Sequence, residues 1–260
     1  MDFPRSLLLA GLVLIAVGCE PGEGFIADEV DEDDTSASSS VRRVLLCQQG
    51  LSDRTSGWDK GLFDVCEGAE ADGFEVIWDG EFPAFGALSE NAAYKALFKT
   101  LDDNGDGYVD SKDSYAEIYL VGFSWGGVNT SDIAERVRVD WRIAGSRSFI
   151  SGMILFDAYQ PQISRVNIPS NVFNAWVYRQ TETTEGDCSE TVSLGWGFNG
   201  HRPKAKSEMT FCSTYDLDQF LGEIGHCDVP SVTRDAARHN LATRTDYKPW
   251  ASYAEACPTK

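Results

Sequence analysis

Ser124 lies in Gly122-Phe123-Ser124-Trp125-Gly126-Gly127, directly after an apolar run at 118–121. A serine hydroxyl is a weak nucleophile at its own pKa and needs a base within hydrogen-bond reach. Only three histidines could supply one: His201, His226 and His239. His201 stands in the polar, basic stretch Asn199-Gly200-His201-Arg202-Pro203-Lys204, which reads as an exposed loop. His239 follows Arg234 and Arg238 beside Ala236 and Ala237 on an expected helix. His226, in Gly225-His226-Cys227-Asp228-Val229-Pro230, follows an expected strand at 209–212 and precedes a terminal helix. A loop late in the chain, beyond the last strand, suits a base for this serine. The glycines around Ser124 suit a sharp strand-to-helix turn in which a Cβ at either flank would collide with a neighbour. Such a turn strains the serine backbone and places it at a helix N-terminus, where the Trp125 N–H can donate to a developing oxyanion.

The elements that must position these groups are short apolar strands alternating with helices. Residues 44–47, 74–78, 118–121, 150–156 and 172–178 read as strands, with a Gly- and Asp-rich loop between the first two. Ala92, Ala93, Leu97, Phe98 and Leu101 share one helical face, so 89–100 reads as a helix capped by Ser89, and 132–137 as another. Strands spaced by helices imply a three-layer α/β fold, with a mostly parallel central sheet covered by helices on both faces.

The order of parts resembles the α/β-hydrolase superfamily, particularly its small lipases and esterases, over most of 41–232. The serine turn at Gly122-Phe123-Ser124-Trp125-Gly126-Gly127 and the late His226 segment carry the resemblance. It implies an acid between Ser124 and His226. Asp157, at the end of the 150–156 strand, stands where pancreatic-type lipases carry theirs, although Ala158 replaces their proline. Other members place the acid one strand later, which leaves Glu182, Glu185 and Asp187 as alternatives. A second oxyanion donor would come from the turn Gln48-Gln49-Gly50-Leu51, with Gln49 in place of the family's His and the Leu51 N–H as donor. The implied activity is cleavage of an acyl ester through an acyl-enzyme: His226 takes the Ser124 proton, and Asp157 orients the imidazole. A peptidase or thioesterase would use the same groups, and a non-catalytic binding protein could keep the same scaffold. No long lid insertion is evident, which favours soluble or short-chain esters.

A second motif lies between the 89–100 helix and the serine strand. The run from Asp102 to Asp113 offers oxygen ligands at positions 1, 3, 5, 9 and 12 of a calcium loop, namely Asp102, Asn104, Asp106, Asp110 and Asp113. Gly107 supplies the turn at position 6 and Tyr108 a backbone carbonyl at position 7. Asp at position 12 makes the loop similar to those of dockerin modules. One loop rather than a pair implies a structural Ca2+ that pins the insertion, not a switch.

The front of the chain reads as targeting sequence. Arg5, an apolar run at 7–17 and the small residues before Cys19 form an export signal over 1–18. The Cys after Gly18 resembles the lipobox of bacterial lipoproteins, in which Cys19 would carry the lipid. An ordinary secretory signal would also export the chain. Residues 19–40 hold eight acids, no base and a Ser-rich run, a solvated tether before a domain at 41–260. Of the 260 residues, 22 are basic and 41 acidic, a net charge of -19, and the domain alone keeps 32 acids against 21 bases. That charge repels nucleic acid, so the expected partners are an acyl ester substrate and, through the lipid anchor alone, a membrane. With 42% hydrophobic residues the chain can build a core. After Cys19, six cysteines remain in an exported chain, an even number that favours disulfides. Fifteen connectivities are open, and neighbour pairing (Cys47 with Cys66, Cys188 with Cys212, Cys227 with Cys257) is the expectation.

Overall fold

A computed structural model describes residues 41–50, 60–78, 87–181 and 199–259. The expected signal and tether, with Cys19, lie outside them, and 40–260 forms one compact unit. The chain runs β1 (Arg42–Gln48), α1 (Lys60–Ala71), β2 (Glu75–Trp78), α2 (Ala87–Leu101), β3 (Ala116–Phe123), α3 (Trp125–Val139) and β4 (Ile150–Phe156). It continues through β5 (Arg165–Ile168), β6 (Asn174–Arg179), β7 (Arg202–Ala205), β8 (Phe211–Asp216), α4 (Asp218–Leu221), α5 (Val229–Thr243) and β9 (Glu255–Ala256).

The main sheet has the order β2-β1-β3-β4-β6-β8-β9, parallel throughout except where β9 pairs antiparallel with β8. After β1 the chain goes outward to β2 and returns to β3 on the other side of β1. The crevice between β1 and β3, at their carboxyl ends, is therefore the point where the winding reverses, the usual place for a site in such sheets.

Alternation along each strand feeds two cores. Val44, Leu46, Ile118, Leu120, Met153 and Leu155 face α2 and α3. Leu45, Cys47, Tyr119, Val121, Ile154 and Phe156 face α1 and α5. Each large apolar side chain so buried contributes about 1.5–3 kcal/mol relative to exposure, which is why strands this short hold their register. The fold is the expected three-layer α/β arrangement, with helices on both faces of a mostly parallel sheet.

Several local expectations need correction. The stretch read as a Gly- and Asp-rich loop contains α1, whose Leu62, Val65, Cys66 and Ala69 are buried at helical spacing. Helix α2 begins at Ala87, so Ser89 lies inside its first turn and does not cap it. The last central strand runs over Phe211–Asp216, well past the expected 209–212. A separate two-stranded parallel sheet, β5 with β7, was not expected at all. Cys47 does pair with Cys66, joining β1 to α1. Cys212, however, pairs with Cys257 rather than Cys188, because β8 and β9 lie side by side. Cys227 is disulfide-bonded, but not to Cys257, and Cys188 lies outside the described residues. Among the described residues no helix is long and apolar enough to cross a membrane.

Candidate active site

Strand register brings the candidate groups to one height. Gln48 pairs with Gly122, Phe123 with Phe156, and Phe156 with Tyr178, so the turns after β1, β3, β4 and β6 leave the sheet side by side. Ser124 begins the turn from β3 into α3 with φ 55° and ψ -125°, a strained conformation for a residue with a Cβ. Its amide donates to the Phe156 carbonyl at 2.9 Å, and its carbonyl accepts from Gly127 and Tyr159 at 3.0 and 3.1 Å. The flanking glycines are required by space. A Cβ on Gly122 would sit 2.3 Å from Thr130 Oγ1, and one on Gly126 would sit 2.2 Å from the Gln49 carbonyl oxygen.

His226 opens a short 3-10 turn that leads into α5, with Pro230 in the first turn of that helix. Its Nε2 lies 2.8 Å from Ser124 Oγ, and its Nδ1 lies 2.6 Å from Asp157 Oδ2. The imidazole also rests against the Phe123 ring, with centroids 4.9 Å apart. Asp157 follows β4 at φ 43° and is wholly buried. Its Oδ1 accepts the Gln180 amide at 2.9 Å. The structure thus brings Ser124, His226 and Asp157 into one hydrogen-bonded chain, although they lie up to 102 residues apart in sequence. Glu182, Glu185 and Asp187 lie outside the described residues.

Trp125 is the first residue of α3, so its N–H has no carbonyl partner within the helix and is available at the dipole's positive end. Gly50, at the end of the β1 turn, is so close to Ser124 that a Cβ on it would approach the serine Cβ to 2.9 Å. Leu51, the expected second oxyanion donor, lies outside the described residues.

Two residues that hold the acid escaped the sequence analysis. Gln180 donates its backbone N–H to one Asp157 oxygen and places its side-chain Nε2 3.4 Å from the other. Gly200 lies against the same carboxylate, where a Cβ would come within 2.0 Å of Oδ1. The only sequence signal for either is position: Gln180 is one residue past the end of β6, the strand next to β4. His201 is not an exposed loop residue. It stacks on Tyr159 with centroids 5.1 Å apart, its Nε2 meets the Gln160 carbonyl at 2.9 Å, and its amide donates to the Ala158 carbonyl. Buried Arg179 and partly buried Asp216 form an ion pair at 3.1 Å, and Thr181 bonds Asp216 and Asp218, locking the ends of β6 and β8.

The six calcium-loop positions lie between α2 and β3. Asp102 accepts the Asp106 and Gly107 amides, Gly105 and Gly107 take positive φ, and Val109 bridges Ile143. Asn104 accepts from Asp106, Tyr108 donates its amide to Asp106, and Asp110 donates to Asp113. Lys112 Nζ sits 3.0 Å from Asp106 Oδ2, and that contact holds the Asp106 carboxyl below its ordinary value. Among the described residues no three His, Cys, Asp or Glu side chains are arranged as a metal site.

No protein-family model and no curated protein matches the chain. Solved structures similar to it include a candidate YdeN-like hydrolase from Pectobacterium atrosepticum, at 13% identity and TM-score 0.31 over 54% of this chain and 63% of that one. A second is a candidate hydrolase of the alpha/beta superfamily from Xanthomonas campestris, at 12% identity and TM-score 0.41 over 77% and 96%. A third is an alpha-beta serine hydrolase homologue from Coxiella burnetii, at 11% identity and TM-score 0.39 over 78% and 88%. The chain spans less than two thirds of the first of these. Likeness this distant decides nothing about activity, which has to be read from the site itself.

Proposed function

We propose that the protein is a serine hydrolase that cleaves an acyl ester. The observation that carries this reading is the unbroken chain from Ser124 Oγ through His226 to buried Asp157, at 2.8 and 2.6 Å. In this mechanism His226 Nε2 takes the hydroxyl proton as Ser124 attacks the carbonyl, and Asp157 stabilises the imidazolium through Nδ1. The Trp125 N–H, with Leu51 as the expected second donor, holds the oxyanion. His226 then returns the proton to the leaving alcohol, and water deprotonated by the same imidazole releases the acid. Nitrophenyl esters of graded chain length, set against aminoacyl anilides, test the substrate class. Turnover of esters with a short-chain preference is expected, and turnover of the anilides alone would overturn the ester assignment.

The same reading includes export and lipidation at Cys19, supported by the residue pattern at 5–19, and a structural Ca2+ held by Asp102, Asn104, Asp106, Tyr108, Asp110 and Asp113. Calcium would have to displace the Lys112 ammonium from Asp106. A rise in Tm with millimolar calcium, reversed by chelator and absent in Asp102→Ala, is the expected result.

A further inference from the structure

The amino edge of the sheet, opposite Ser124, carries a row of exposed aromatic side chains. Tyr115, Phe149 and Phe173 immediately precede β3, β4 and β6, and Phe211 opens β8. Those four strands are consecutive neighbours in the sheet. At about 4.8 Å per strand the row spans roughly 15 Å. Within it the Phe149 and Phe173 rings stack with centroids 5.0 Å apart, and the Phe211 amide donates to the Phe173 carbonyl. Phe149, Phe173 and Phe211 are 43%, 47% and 48% exposed. Met209 beside them is 86% exposed, and Trp141, just beyond the end of α3, is 78% exposed. Exposed aromatic and large apolar groups gathered on one face mark an interaction surface.

We propose that this edge docks on a phospholipid bilayer, with the aromatic rings in the interfacial layer and the Ser124 end turned toward water. The proposal goes beyond the hydrolytic reading, and one of its supports rests on the anchor inferred from residues 5–19. Three observations select a bilayer over a protein. The domain begins at Val41, half-exposed at the amino end of β1, on this same edge. Residues 20–40, an acidic and Ser-rich stretch in the sequence, separate Val41 from Cys19. The side chains are Phe, Tyr, Trp and Met, types that partition into the headgroup region, where rings sit between apolar and wet layers. Finally, the acids at this edge, which include Glu75, Asp140 and the 102–113 loop, are partly neutralised by neighbouring bases. Arg42 and Arg142 pair with Asp103 and Asp140, and Arg147 lies over the Tyr115 ring with its Nη atoms on the Asp113 and Ser114 carbonyls.

The consequence for function concerns substrate delivery. Strand β3 has eight residues, so Ser124 stands about 26 Å from the docked edge at roughly 3.3 Å per residue. A site held at that height takes its ester from the aqueous side and not from the bilayer beneath it.

Tryptophan quenching by bromine-labelled lipid tests the docking. The full chain is reconstituted into phosphatidylcholine–phosphatidylglycerol vesicles with and without brominated acyl chains, and subtraction of Trp141→Phe isolates the Trp141 emission. Loss of most of that emission in brominated vesicles is expected. Phe149→Ser/Phe173→Ser/Phe211→Ser should restore it, Met209→Asp should restore part of it, and Val232→Ser at the opposite end should leave the quenching unchanged. Trp141 emission that is indifferent to bromine overturns the proposal. So does bromine-indifferent protein that sediments as a dimer until the phenylalanines are replaced, which would assign the edge to a second copy. Intact mass reports the lipid on Cys19 separately, so quenching without that lipid would remove the anchor and leave the docking standing.

Discussion

The two edges of the main sheet are built from the same strands and solve opposite problems. At the carboxyl edge, polar groups are buried and the backbone is forced. Ser124 and Asp157 both take positive φ, Asp157 is sealed from solvent, and Gly126 lies where no side chain fits. At the amino edge the backbone is relaxed and apolar rings are left in solvent. The third non-glycine residue with positive φ among the described residues, Arg244, is there, but it merely ends α5 in the left-handed conformation common at helix C-termini. Conflict between local preference and final structure concentrates where chemistry needs it, and the surrounding register sustains it. Exposed apolar surface, the other departure from a minimal soluble design, concentrates about 26 Å away.

Substitutions at the two edges should therefore fail in different ways. The largest effect is expected from Asp157→Asn, which keeps the shape of the acid but favours the wrong imidazole tautomer. A fall in kcat of about 10⁴-fold with little change in Tm is predicted from steady-state kinetics and calorimetry. Gly126→Ala should act on the fold, because its Cβ would meet the Gln49 carbonyl oxygen at 2.2 Å. A loss of about 2–3 kcal/mol, or roughly 5–10 °C in Tm, is expected together with loss of activity. Gln180→Leu removes the side-chain contact to Asp157 and keeps the backbone one. A fall of about 10- to 100-fold in kcat with KM nearly unchanged is expected, the mark of a positioning residue.

The smallest effect belongs to the amino edge. Hydrogen bonds from Arg142, chiefly, hold the Asp140 carboxyl below its ordinary value. A depressed folded pKa contributes stability that is present above the unfolded value, near pH 4, and is lost as pH falls through the folded value. Asp140→Asn should therefore lower Tm at pH 7 by an amount equivalent to no more than about 1 kcal/mol. The difference from wild type should shrink on acidification below about pH 4, as thermal melts across pH can show, and activity should be unaffected.

What the sequence disclosed divides along physical lines. Strand β4 shows at its full extent, because Ile150-Ser151-Gly152-Met153-Ile154-Leu155-Phe156 is an apolar run buried nearly throughout. Ser124 and His226 could be singled out because a tight turn and a scarce base each leave a local mark, whereas Asp157 follows only from the family resemblance, which leaves Glu182, Glu185 and Asp187 open. Helix α1 was hidden by its glycines and acids, although Leu62, Val65, Cys66 and Ala69 hold the stripe. Gln180 and Gly200 leave no such mark. They reach Asp157 only because β6 pairs with β4 and because the chain at 199–201 closes over that junction, and strand pairing is a property of the assembled sheet. The Cys212–Cys257 bridge is non-local in the same way.

The central claim is that Ser124 is an activated nucleophile. It is tested most directly by the intact mass of the full chain after exposure to a fluorophosphonate, with Ser124→Ala alongside. One covalent adduct on the wild type and none on the variant is the predicted result. A folded wild-type chain that takes up no label, or a variant labelled equally, would contradict it.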